Sequence, residues 1–156
     1  EACVPYGWQF KDEDVFMPSA KSKAINCFGL LARDNRFHFK TTTSNITSSF
    51  IFEYLEQLSF TLKKMTVVVL DNASVHTAKL IQDRRHVWEQ RGLTLFYLPK
   101  HSPQLNIIEI LWRMLKYLWL KPSDYADEQT LFYQVTLALA AVGSSLSINF
   151  SNFALV

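Results

Sequence analysis

The chain has 156 residues, about half of them apolar, and a formal net charge of +2. That length suits one domain with one core, and the few Gly and Pro residues argue against disorder or low complexity. So small a charge does not announce a nucleic-acid binder, so any basic surface must be local. The apolar run from Leu131 to Gly143 is interrupted by Gln134 and Thr136 and is too short to cross a bilayer. No basic start followed by an apolar stretch marks a secretion signal. Cys3 and Cys27 form neither a CxxC pair nor a metal-ligand cluster, so they read as reduced thiols in a cytoplasmic protein. Asn45-Ile46-Thr47 matches a glycosylation sequon without any secretory context to support it.

In chain order, Tyr6 to Lys11 reads as a short strand. Lys21 and Lys23, with Ser19 and Ser22, read as a solvated loop in preference to a DNA contact. Ala24 to Ala32 is rich in apolar residues and Arg36 to Thr43 alternates through Phe37 and Phe39. Arg33-Asp34-Asn35 between them predicts a hairpin turn. Asn45 to Lys64 has helical spacing, with Phe50, Tyr54, Leu55, Leu58 and Leu62 on one face and Asn45 or Thr47 as cap. Thr66 to Leu70 contains three consecutive valines and a leucine, which predicts a strand buried on both faces.

Thr77 to Arg91 follows as an amphipathic helix, with Leu80, Ile81, Val87 and Trp88 inward and Gly92 as its stop. Leu93 to Leu98 is a further strand, parallel and adjacent to Thr66 to Leu70 because a crossover helix connects them. A polar loop from Lys100 to Asn106 leads into a helix from about Ile107 to Leu120, ended by Pro122. A last helix, about Asp127 to Val142, packs through Leu131, Val135, Leu139 and Val142. This order predicts an α/β domain with helices on both faces of a mixed sheet.

Sites in open α/β sheets gather at the carboxyl ends of strands, and Asp71 stands at such an end. A carboxylate there either caps the loop with Asn72 and Ser74 or holds a metal ion that offsets its desolvation. The helix after Asn106 is apolar around most of its surface, and Asn106, Glu109, Arg113 and Lys116 fall on one stripe. That stripe is either a solvated edge with a Glu109–Arg113 ion pair or a line facing something charged. Asp71 and Glu109, converging at one rim, would supply the oxygen ligands that Mg²⁺ prefers. Asn106, Arg113 and Lys116 would then lie along a phosphate backbone. His76 either orients Asp71, touches substrate, or is simply hydrogen-bonded ahead of its helix.

The stretch Val67-Val68-Val69-Leu70-Asp71-Asn72-Ala73-Ser74-Val75-His76 resembles the second-acid motif of bacterial insertion-sequence DDE transposases related to the mariner group. Leu98-Pro99-Lys100-His101-Ser102-Pro103-Gln104-Leu105-Asn106-Ile107-Ile108-Glu109, with Trp112 and Lys116, resembles their third-acid motif. The two acids lie 38 positions apart, at 71 and 109, which fits that family. Ile107 stands where the family usually has proline, and Lys100 and His101 stand where proline and tyrosine are common.

The resemblance implies a ribonuclease H-like fold, two Mg²⁺ or Mn²⁺ ions, and cutting and joining of double-stranded DNA at transposon ends and target. Asp71 and Glu109 would be the catalytic metal ligands, with Asn72 and His76 supporting them. Gly7-Trp8 matches the Gly-Trp that follows the family's first acid, and Glu1 falls where the glutamate of its Asp-Glu pair belongs. The first strand and its aspartate are therefore expected just before Glu1, and residues 1–156 read as one N-terminally truncated catalytic domain. Two other readings stay open. One is a nuclease of the same fold that never joins strands. The other is a non-catalytic remnant that binds DNA or dimerises. A homodimer and a place at the nucleoid are compatible with all three.

Overall fold

The computed structural model describes residues 24–100 and 102–153. The predicted strand at Tyr6 to Lys11, the Lys21–Lys23 loop, Glu1, Cys3, Gly7-Trp8 and His101 lie outside them. The chain divides into two compact units, one of residues 24–44 with 108–153 and one of Asn45–Ile107. Each holds a two-stranded sheet, so the described strands form two separate small sheets. The architecture is mixed α/β.

In the first unit, β1 (Asn26–Leu31) and β2 (Phe37–Thr42) pair antiparallel from Asn26 opposite Thr42 to Leu31 opposite Phe37. The predicted turn forms between them, closed by Asn35 N–H to the Ala32 carbonyl at 3.0 Å and Ala32 N–H to Arg36 at 2.9 Å. Asn35 adopts φ 64°, the left-handed conformation that asparagine tolerates better than most residues. Its side chain also clamps a loop segment distant in sequence, with Oδ1 accepting from Ile148 N–H at 2.7 Å and Nδ2 donating to Ile148 O at 3.1 Å.

The same unit contains α3 (Ile108–Met114), a π-helical segment over Leu115–Trp119, and α4 (Glu128–Ala140). Asp127 caps α4 through Oδ1, which accepts from Thr130 N–H at 2.8 Å. Leu131, Val135, Leu139 and Val142 are all buried, as the spacing predicts, against Leu111 and Leu115. Steps of four place Leu131, Val135 and Leu139 one turn above another on a single face.

In the second unit, α1 (Ser48–Thr61) starts at Thr47, whose Oγ1 accepts from Phe50 N–H at 3.3 Å. Its buried line is Ile51, Leu55 and Ser59; the predicted Phe50, Tyr54, Leu58 and Leu62 are only half-buried. β3 (Thr66–Leu70) and β4 (Leu93–Tyr97) are adjacent and parallel, in register from Thr66 opposite Leu93 to Leu70 opposite Tyr97. They are joined by α2 (Lys79–Gln90), which Gly92 ends at φ 86°. Inside α2, Ile81 and Trp88 are buried, Val87 is half-buried and Leu80 is exposed, against the expectation that all four face inward.

The larger correction concerns β3. Val68 and Leu70 are buried, but Val67 is 62% exposed, Val69 45%, and Phe96 on β4 55%. Within this unit α2 packs on β4 and α1 on α2, and Val67, Val69 and Phe96 lie exposed on the opposite side of the strand pair. An unbroken apolar run fits burial on two faces, yet here it alternates because only one face is covered.

Candidate metal-binding and nucleic-acid site

Asp71 directly follows β3, where a strand buried through Val68 and Leu70 gives way to a loop. Its side chain is 46% exposed. Oδ1 accepts Ala73 N–H at 3.0 Å, folding the chain back, and lies 2.6 Å from Nδ1 of His76. Oδ1 thus makes a loop-closing contact, and Oδ2 takes no hydrogen bond from the described residues. The loop is tied to the end of β4 at two points. Asn72 Nδ2 donates to the Leu98 carbonyl, and the Tyr97 hydroxyl donates to the His76 carbonyl at 2.9 Å. Gln82 Nε2 of α2 in turn donates to the Tyr97 hydroxyl at 3.0 Å.

Sequence reasoning named Asp71, Asn72 and His76 but passed over Tyr97 and Gln82. The signal available was a tyrosine ending an apolar strand. Such a residue buries its ring and needs a partner for its hydroxyl.

Glu109 lies in the first turn of α3 and Arg113 in its last, and both are exposed, as is Lys116 in the π segment. A carboxylate early in a helix and a guanidinium late in it both suit the helix dipole. No ion pair joins Glu109 to Arg113 among the described residues. Asn106 precedes the helix, closing the short 3-10 turn Pro103–Leu105 with its N–H on the Pro103 carbonyl at 2.9 Å.

The predicted regular helix to Leu120 is corrected. After Met114 the chain widens to a π turn, in which Leu120 N–H reaches the Leu115 carbonyl at 3.0 Å. Tyr117 and Leu118 in this segment are exposed beside Lys116. Cys27 is a free thiol, and burial pushes its pKa up to about 11 against a small opposing effect of the Lys116 charge.

Asp71 belongs to one unit and Glu109 to the other. Among the described residues, no three His, Cys, Asp or Glu side chains cluster as a ready metal site. Taken singly, the two acids still fit a hard cation. Asp71 offers a carboxylate oxygen at a strand end and Glu109 an exposed carboxylate, neither engaged by an ion pair to a cation of the described residues other than the His76 contact on Asp71 Oδ1, and carboxylate oxygens are the donors such ions take.

The profile of the DDE superfamily endonuclease family matches residues 1–132, and the chain belongs to that family. No curated protein matches it. No helix among the described residues is long and apolar enough to cross a membrane.

Proposed function

We propose that the chain is the catalytic domain of a DNA transposase of the insertion-sequence type related to the mariner group. The carrying observation is Asp71, placed at the carboxyl end of β3 with one carboxylate oxygen open, in a chain of the DDE superfamily. The family match spans residues of both units, which supports reading them as one catalytic domain with a ribonuclease H-like sheet.

In this reading Asp71 and Glu109 are the metal ligands, and Asn72 and His76 hold the Asp71 loop. When bound, two Mg²⁺ or Mn²⁺ ions activate the attacking water and neutralise charge on the phosphate. Arg113, Lys116 and Asn106 bind the DNA backbone and fix its position for in-line attack. Water adds to phosphorus as the 3′ oxygen leaves, taking a proton to become a hydroxyl. That hydroxyl then attacks a target phosphodiester, forming a new P–O bond as the target's 3′ oxygen departs. The protein would act in the cytoplasm, at the nucleoid, on double-stranded DNA, and a homodimer would let it act on paired ends.

In the full-length protein, Asp71→Asn and Glu109→Gln should each abolish Mg²⁺-dependent cleavage of a labelled transposon end while leaving circular dichroism unchanged. Cleavage near the wild-type rate in either variant would remove that residue from the site. Cleavage without a joined product would favour a nuclease that never transfers strands. DNA binding without either would favour a non-catalytic remnant.

A further inference from the structure

The hydrogen bonds around Asp71 are unevenly distributed between its two oxygens. Oδ1 takes both the Ala73 N–H at 3.0 Å and the His76 ring at 2.6 Å. A carboxylate oxygen only accepts, so the proton of the second bond sits on Nδ1. The ring is itself held by its backbone. His76 O accepts from the Tyr97 hydroxyl at 2.9 Å, and Tyr97 receives Gln82 Nε2 at 3.0 Å. Gln82 Oε1 accepts from Arg85 Nη1 at 3.4 Å, and Arg85 Nη2 donates to the Leu95 carbonyl of β4 at 3.3 Å. The series therefore starts on α2 and β4 and ends on one oxygen of Asp71. The other oxygen takes nothing from the described residues, on a side chain that is 46% exposed.

We infer that His76, anchored by Tyr97, is a positioning residue that occupies Oδ1 of Asp71 and leaves Oδ2 as the single oxygen offered to a divalent cation. This rests on the metal-binding reading of Asp71 and adds which oxygen binds and what holds it. A free carboxylate can rotate and chelate through both oxygens. One whose Oδ1 is bonded twice cannot do so without breaking both bonds, so Asp71 binds through one oxygen in a fixed direction. Fixing a ligand through its hydrogen-bonded neighbours is the usual means by which proteins set metal affinity, and loss of such a neighbour costs roughly 10–100-fold.

The test uses the full-length protein and Mn²⁺ alone, with binding followed by electron paramagnetic resonance. His76→Ala should weaken Mn²⁺ binding by about 10-fold or more. His76→Asn should recover most of the loss, because its amide nitrogen occupies the place of Nδ1 and can donate to Oδ1. Tyr97→Phe should give a smaller loss, and thermal unfolding of all three should stay near wild type. In the metal-free protein, ¹⁵N spectra of labelled histidine should show a proton on Nδ1 of His76.

Asp71→Ala separates the two levels of the argument. If it weakens Mn²⁺ binding while His76→Ala does not, the metal reading stands and the positioning role falls. If Asp71→Ala leaves Mn²⁺ binding unchanged, the metal reading itself fails and the positioning role with it. An Nδ1 without a proton would overturn the inference whatever the metal does, and equal loss in the Ala and Asn variants would reduce His76 to a packing residue.

Discussion

Glu56 on α1 meets three side chains on α2 and its C-terminal end. Its carboxylate accepts from Arg84 at 2.6 and 3.0 Å, from Arg91 at 2.8 Å, and from Trp88 Nε1 at 2.7 Å. The Arg84 bonds, outweighing the opposing effect of burial and aided by Arg91 and Trp88, hold its pKa at about 2. A carboxylate held that low stabilises the fold above its unfolded value of roughly 4.3 and loses that contribution as pH falls through the folded value. Glu56→Gln should therefore lower the melting temperature clearly at pH 7. The gap to wild type should close as pH drops from about 5 towards 2, in a thermal unfolding series. A gap that stays constant with pH would show that the charge on Glu56 contributes nothing.

Gly143 makes a second residue-scale case, with φ 85° and an added Cβ that would lie 2.6 Å from the Asn35 carbonyl oxygen. Gly143→Ala meets both a strained backbone and a clash with backbone that cannot swing aside. It should cost about 1–3 kcal/mol in denaturant unfolding, and a change within the error of the fit would refute the close approach.

At the scale of elements, β3 separates two meanings of the same apolar run. If one face is covered, Val68→Ala should destabilise by about 2 kcal/mol, while Val67→Ala should stay within about 0.5 kcal/mol. Equal losses at both positions would mean that the open face is covered in solution. The order of elements was legible from the sequence because strong punctuation marks it. Gly92 stops α2, Asp127 caps α4, and Arg33-Asp34-Asn35 turns the hairpin.

Burial was less legible. Three valines in a row say only that a strand is apolar, and which of its faces is covered depends on where α1 and α2 pack. Ile51 was missed for the same reason, since α1 has apolar residues on several sides and its neighbours choose among them. At the site, Asp71 and Glu109 could be named because charge stands out against apolar surroundings. Tyr97 could not, because its role rests on a hydroxyl meeting the backbone of His76, and that depends on the parallel register of β3 and β4.

At the scale of the whole molecule, a net charge of +2 cannot draw DNA by itself, so backbone binding has to come from local groups. Arg113 and Lys116 are exposed on consecutive turns of one helical segment. Arg113→Ala or Lys116→Ala should each weaken DNA binding and flatten its logarithmic salt dependence by about 0.9. Fluorescence anisotropy across a salt series measures this, and unchanged slopes would make both residues bystanders.

The π turn at Leu115–Trp119 has a further consequence, for which changes in length the chain can absorb. A π turn holds one residue more than the α-helical path around it would use. Removing one residue from a regular helix swings everything beyond it by about 100° and turns a buried line to solvent. Removing one here could instead be taken up by the wide turn relaxing to an α-helical one. Glu109 and Arg113, which precede it, would keep their places, and Trp119 and the start of the loop to α4 would need little adjustment. This segment is therefore where the chain should best tolerate a single-residue deletion within a helix.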